Sequence, residues 1–311
     1  MYESLEIVGS DFHIFLFSED LLVHSILDKL HYENLTLIQL SEINNDLINT
    51  ERSKRSQAEF IWMLTPFIIE YTMKKFFLTN VTYIDADLFF FSKPDEEIMR
   101  VLLENFSTYV IEHRFPREIE TKSIKVSGRF CVQFNIFNLN NPETQAILAT
   151  WKDNCILSTS YRVNGVNGEQ KYLDEWPLVY KSVQVSNHHG FGLAPWNFVN
   201  YRFSVIDNKI YITKNNNSNT HKLVFFHFQN IKFLPFGFIN TNLSSYNEFM
   251  IKEIYTPYIK KLRNIRLMLF RDFGFNEYTY NLLTSNVIMK YFRQYLLIFR
   301  PRNFKTIIRV K

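Results

Sequence analysis

Cysteine is almost absent from this 311-residue chain, where Cys131 and Cys155 are the only two. Two cysteines are too few for a disulfide framework and wrongly spaced for a zinc site, which excludes the cysteine-stapled secreted classes and fits a reducing cytosol. The N-terminus lacks the basic stretch, apolar core and small-residue cleavage site of a signal peptide. No apolar run approaches the roughly 18–20 residues of a membrane span. The expectation is a cytoplasmic chain, neither exported nor spanning. There is no internal repeat, and no nucleic-acid-binding motif or glycine-rich RNA-type block, so nucleic acid is not expected as a partner.

What the chain does have is core. At 46% hydrophobic residues it can bury a large interior, enough for one big domain or one domain with an extension. The net charge of +4 conceals an asymmetry. From Lys252 to Lys311 there are thirteen Lys and Arg against Glu253, Asp272 and Glu277, a net of +10, so the first 251 residues carry −6. The tail is a chemically separate region. We divide the chain into a domain at 1–250 and a basic helical extension at 251–311. Within the extension, residues 286–299 (NVIMKYFRQYLLIF) place Ile288, Tyr291, Phe292, Tyr295, Leu296 and Phe299 on one helical face. A basic amphipathic segment of this kind suits peripheral contact with an anionic membrane surface through 252–311; a helical extension packed on the core with its charges in water is the alternative.

Short apolar runs at 12–17, 35–40, 81–91, 108–111 and 222–228 read as buried strands. Helical patterns cover 20–30, 57–75 and 142–156. Ser56 and Glu59 form a possible capping box at the second of these, and Pro66 predicts a kink or break within it. Strands alternating with helices imply an α/β fold with a mostly parallel central sheet covered on both faces, and ligands then bind beyond the carboxyl ends of the strands. Residues 158–220 are turn-rich and read as long loops.

Asp85 and Asp87 stand at the end of one such strand, in VTYIDADLFFFSKPDEEI. Two carboxylates at i, i+2 point the same way and repel, so a positive group is expected between them. Mg²⁺ or Mn²⁺, with hard oxygen ligands, answers that need; a strand-ending pair capping the turn toward Ser92, Lys93 and Pro94 is the structural alternative. A haloacid-dehalogenase-type phosphatase would use a similar pair but wants Thr or Val at position 89, where this chain has Phe89.

The order of blocks goes further. TERSKRSQAEFIWMLTPFIIEY, VTYIDADLFFFSKPDEEI, EHRF, SGRFCVQFNIFNLN, NGEQKYLDEWP, GFGLAPWN and FFHFQNIKF, over roughly residues 2–235, resemble bacterial nucleotide-diphospho-sugar transferases of the GT-A fold and DxD type. The resemblance implies a GT-A-like three-layer α/β/α architecture. It also implies a sugar moved from a nucleoside-diphosphate-sugar, a UDP-sugar as the expected donor, to a polysaccharide or lipid-linked acceptor at the inner face of the membrane, with retention of anomeric configuration. On it, Asp85, Asp87 and His227 hold Mn²⁺ or Mg²⁺; Gln170 and Asp174 are the catalytic candidates. Asp85, Arg55, Arg114, Gln133, Asn135, Glu169, Trp196 and Asn197 are the candidates for binding donor or acceptor, with Arg52 and His113 as further charge near the diphosphate. His188 and His189 fall on a cleft-lining loop rather than on a metal. Cys131 and Gln133 depart from the family's commoner Asn-x-Gly. The chain also begins inside a helix that relatives reach only after a base-cradling strand, so an upstream start or an incomplete base-binding wall is expected. The latter would suit an inactive sugar-binding or scaffold relative.

Overall fold

The computed structural model describes residues 1–43, 45–163, 166–215, 217–234, 238–275 and 307–309. The aromatic stripe expected at 286–299 lies outside them. The chain divides into two compact units, one comprising Met1–Leu193 and Val199–Phe225, the other Ala194–Phe198 and Phe226–Lys311.

In the first unit, helix α1 (Tyr2–Val8) precedes the parallel pair β1 (Ile14–Ser18) and β2 (Leu35–Gln39), joined through α2 (Leu21–Leu30). Asp20 caps α2 by accepting from the backbone N–H groups of Leu22 and Val23. Then come α3 (Asp46–Arg52) and α4 (Gln57–Lys75). The Ser56–Glu59 capping box is formed, and α4 runs through Pro66 without the expected break. Burial of Phe60, Met63 and Leu64 before the proline and of Ile69 and Met73 after it holds both halves on the core.

The central sheet is built from β3 (Asn80–Ile84), β5 (Thr108–Glu112), β6 (Phe130–Asn138) and β9 (Val183–Val185) in the order β3–β6–β5–β9. It is mixed rather than mostly parallel, because β6 runs antiparallel to both neighbours and only β5–β9 is parallel. The apolar run at 81–91 is two strands, since the chain turns at Asp85–Asp87 before β4 (Leu88–Phe90). Helices α5 (Asp95–Leu103), α6 (Glu120–Ser127) and α7 (Glu143–Leu157), the short hairpin β7 (Tyr161–Val163) and β8 (Val166–Asn167), and α8 (Trp176–Val179) complete this part.

Alternation along β5 produces the layers. Val110 joins a core with Phe60 and Met63 of α4 and Trp151 of α7, whereas Tyr109 and Ile111 join a second core with Leu5 of α1 and Val101 of α5. The sheet is therefore covered on both faces, as expected for strands this apolar. Between Tyr109 and Ile111 the β5–β6 register jumps from Ile136 to Cys131, a bulge that puts Gln133 in the irregular part of β6.

The turn-rich stretch before 220 contains more regular structure than its composition suggests. β10 (Tyr201–Ile206), β11 (Lys209–Lys214) and β12 (Thr220–Lys222) make an antiparallel meander. The tight β10–β11 turn is made by Asp207 and Asn208, both at positive φ, where Asp and Asn are among the better-tolerated side chains. β13 (Phe225–His227) pairs with β4.

In the second unit β14 (Lys232–Phe233), β15 (Phe238–Asn240) and β16 (Ile307–Arg309) form an antiparallel sheet, and α9 (Thr256–Phe273) follows a π-helical segment, Met250–Tyr255. Gly274, at φ 63, ends α9 in the left-handed region.

Candidate metal and donor site

β3 delivers its polar end to the carboxyl edge of the sheet. Tyr83, two residues before Asp85, donates its hydroxyl to Asp85 Oδ1 at 3.0 Å, and the Asp85 backbone N–H donates to the Gln133 carbonyl at 3.0 Å. Leu88 N–H closes the turn onto the Asp85 carbonyl. The strand that carries His227 is fixed by apolar and main-chain contacts: Phe91 N–H donates to the Val224 carbonyl at 2.8 Å, and the Phe90 and Phe225 rings meet edge to face at 5.7 Å.

Asp85, Asp87 and His227 each present a ligand atom, all within 4.8 Å of one another, with the aspartates half-buried and His227 buried. Two carboxylates and one imidazole carry a net negative charge and hard-to-borderline donors, which fits Mn²⁺ or Mg²⁺. Beside His227 stands Trp196, its ring edge to face at 5.5 Å.

Glu169 is the strongest electrostatic feature near Asp85. Burial foremost, then the Asp85 charge and Cys131, push its carboxyl up to about 8. Its backbone is held from both sides: the Trp151 indole N–H donates to its carbonyl at 3.1 Å, and the preceding Gly168, at φ 64, lies on the Trp62 ring, where an added Cβ would come to 3.2 Å. Tyr83, desolvated and facing Asp85 and Glu169, has its phenol raised well above the usual value.

The remaining candidates are placed as follows. Gln133 and Asn135 are fully buried in β6, and Asn135 Nδ2 donates to the Tyr109 carbonyl at 3.2 Å. Gly192 makes room for Gln133. At φ 85, an added Cβ there would meet Ile111 at 2.6 Å and Gln133 Nε2 at 3.1 Å. Gln170 is half-buried and opens the 3₁₀ turn Gln170–Glu175. Asp174 is engaged structurally, accepting from Arg129 N–H and pairing with Lys171 Nζ, both at 2.7 Å. Asn197 accepts from Ala194 N–H at 2.9 Å and so shapes a turn. Arg55 is drawn into the fold rather than toward the aspartates, pairing with Glu51 and donating to the Ile156 carbonyl. Arg114 donates to the carbonyls of Phe191 at 2.8 Å and Ser186 at 3.2 Å, clamping the loop between them.

That loop carries His188 and His189, and the meander brings a third histidine to them. The His221 ring lies 4.6 Å from His188 and 5.3 Å from His189. Burial, then the neighbouring His221 for His188 and the Arg114 charge for His189, hold both imidazoles down at about 4. His221 was not anticipated from the sequence, because nothing local links it to a doublet more than thirty residues away. Tyr83 was also missed, although its i−2 spacing from Asp85 places both on one side of β3.

The chain is similar to two uncharacterized proteins of Bacillus subtilis (strain 168). YfnD is 29% identical over 273 residues, covering 85% of this chain and 83% of that protein. YfnF is 27% identical over 235 residues, covering 73% and 75%. Among solved structures, mouse xyloside xylosyltransferase 1 in its apo form superposes with a TM-score of 0.41 at 13% identity, over 62% of this chain and 79% of that one. No protein-family model matches the chain.

Proposed function

We propose that this protein is a metal-dependent glycosyltransferase that moves a sugar from a UDP-sugar or similar donor to a polysaccharide or lipid-linked acceptor, with retention of configuration, at the cytoplasmic side of a membrane. The observation that carries the reading is the meeting of Asp85, Asp87 and His227 beside the turn that ends β3. It joins the two ends of the block order that resembles the DxD transferases.

The residues present divide the work. Asp85, Asp87 and His227 would hold the cation, Mn²⁺ being well suited to a mixed oxygen and imidazole set. Such an ion, when bound, supplies positive charge against the leaving diphosphate. Tyr83 fixes the Asp85 carboxylate. Glu169, whose carboxyl is pushed up to about 8 by burial and the Asp85 charge, can donate a hydrogen bond in its protonated form where an ionised acid could only accept. The Trp196 ring offers a flat apolar face of the kind that stacks on a sugar or base. Gln170, one residue beyond Glu169, is the candidate to meet the reacting sugar.

The test is donor binding and turnover across a panel of nucleotide-sugars with and without Mn²⁺. At least one donor is expected to bind and to be hydrolysed or transferred only with metal, and Asp87→Asn is expected to abolish this in a folded protein. Failure of every donor to bind in the presence of Mn²⁺ would end the reading.

A further inference from the structure

The loop after β9 supplies no candidate ligand, yet it touches the segment that leads into His227. Arg114 anchors this loop at two points, the Ser186 and Phe191 carbonyls. Between the anchors Gly190 lies so close to a second stretch of chain that an added Cβ would stand 2.0 Å from the Lys222 carbonyl oxygen. The need for glycine here is one of close approach: the two backbones touch. Hydrogen bonds hold them together, since the Gly190 carbonyl accepts from Val224 N–H at 2.9 Å and from Phe225 N–H at 3.4 Å. On its other side the same segment is held by the chain just past the aspartates. The Val224 carbonyl accepts from Phe91 N–H at 2.8 Å, and the Leu223 carbonyl from the Ser92 hydroxyl at 2.6 Å. Residues 223–225 are therefore gripped between Gly190 and the Phe91–Ser92 backbone, and β13 (Phe225–His227) starts inside the grip.

What orients Gly190 is a single side chain. Its backbone N–H, on a buried residue, donates to His188 Nδ1 at 3.1 Å. Without that acceptor the N–H would be buried and unsatisfied, and the peptide plane would turn to find another partner. The bond needs the imidazole tautomer that carries its proton on Nε2. Burial, then the neighbouring His221, hold the ring down at about 4, so Nδ1 keeps its lone pair at neutral pH. Phe191 and His221 fix the ring itself, edge to face at 5.1 Å and 4.6 Å. Among the described residues His188 does not join the Asp85, Asp87 and His227 group, so any influence it has on a cation passes through the backbone.

We propose that His188 is a positioning residue for the candidate metal site: by accepting from Gly190 N–H it sets the Gly190 carbonyl, which sets residues 223–225 and with them the strand that carries His227. The proposal rests on the transferase reading only in placing a cation on Asp85, Asp87 and His227. It gives the histidine loop a role in the site without making any of its rings a ligand.

The experiment measures Mn²⁺ affinity of the full chain by electron paramagnetic resonance, in the parent and in His188→Leu and His188→Asn. Leucine fills the space and accepts nothing, and its variant is expected to bind Mn²⁺ about 10-fold more weakly. Asparagine can accept through Oδ1 from the N–H two residues on, the Asx-turn bond, so its variant is expected to return to within about threefold of the parent. A second readout follows the bond itself. With only eight glycines in the chain, selective ¹⁵N-glycine labelling resolves the Gly190 amide, whose hydrogen exchange is expected to be slow in the parent and in His188→Asn and at least about 10-fold faster in His188→Leu. Equal losses of Mn²⁺ affinity in the two variants would overturn the proposal, because the ring and not its acceptor atom would then matter. So would a His188→Leu protein that exchanges Gly190 quickly yet binds Mn²⁺ like the parent. If Asp87→Asn loses the metal while His188→Leu keeps it, the proposal fails and the metal site stands. A parent that binds no Mn²⁺ ends both. Matching circular dichroism spectra at the temperature of the measurement separate these outcomes from misfolding.

Discussion

Two clusters of titratable side chains form in this protein, and they respond to the same physical pressure in opposite ways. Around Asp85 the buried or half-buried groups are mostly acids, Asp85, Asp87 and Glu169 with the Tyr83 phenol against them, and His227 stands beside the two aspartates. Around His221 they are bases: His188, His189 and the Arg114 guanidinium, with Lys214 adding positive charge to His189 and Glu97 the opposing acid near His188. Desolvation penalises charge in both, raising the acid Glu169 and lowering the imidazoles. Among the described residues only the first cluster brings carboxylate and imidazole ligand atoms together, and that difference separates a candidate cation site from a packed group of rings. Adjacent histidines therefore say little about metal by themselves. What decides is whether carboxylates accompany them.

The largest effect that would break this contrast is on metal affinity. Asp87→Asn is expected to weaken Mn²⁺ binding by about 100-fold or more, read by electron paramagnetic resonance, whereas His189→Gln is expected to leave it within about twofold. A reversed pattern would move the metal to the histidines. Next in size is Tyr83→Phe, which keeps the ring and removes the hydrogen bond to Asp85. Loss of an outer hydrogen bond of this kind typically costs about 10-fold in metal affinity, and titration calorimetry should show that loss with little change in Tm.

The two clusters should also separate by pH. For His188 and His189 the folded pKa of about 4 lies below the ordinary 6.5, so the unfolded chain binds more protons between those values. Their contribution to stability is complete above 6.5 and is lost as pH falls toward 4. The double variant His188→Gln, His189→Gln is accordingly expected to lose less Tm than the parent between pH 7 and pH 4.5. Glu169 has the other sign. Its folded pKa of about 8 exceeds the ordinary 4.5, so its contribution is complete at low pH and is lost as pH rises through that window. Glu169→Gln, measured in chelator, is expected to raise Tm by a few degrees, about 3 °C, at pH 8.5 and not at pH 4.5. An equal gain at both would mean that the carboxyl is not desolvated.

How much of this was legible in the sequence depends on the range of the interaction. The capping box of α4 was visible because Ser56 and Glu59 are three residues apart and their bonds are local. The strand leading into Asp85 was visible in its apolar pattern, though the turn that splits the run at Asp85–Asp87 was not, since apolar residues flank it on both sides. The antiparallel course of β6 was hidden: direction depends on which neighbours a strand finds, and a buried strand's composition is the same either way. The meander of β10–β12 was hidden as well, because its short strands lie largely exposed, Val205 and Ile206 included, and stand among turn-forming Asn, Asp and Gly residues.

Residue chemistry was fixed by the sequence alone: two carboxylates at one strand end, a late histidine, a basic C-terminal region, and too little cysteine for a stapled fold. Tertiary structure decided which of those groups meet and which are spent on the fold. Arg55, a candidate for binding donor or acceptor, and Asp174, a catalytic candidate, are tied to Glu51 and to Lys171, while His221 acquires partners that no local pattern announced. The reason is that ionisable side chains are recruited by whatever opposite charge, hydrogen-bond partner or burial the folded chain brings within a few ångströms, and that distance is set by strand pairing and core packing rather than by spacing along the sequence.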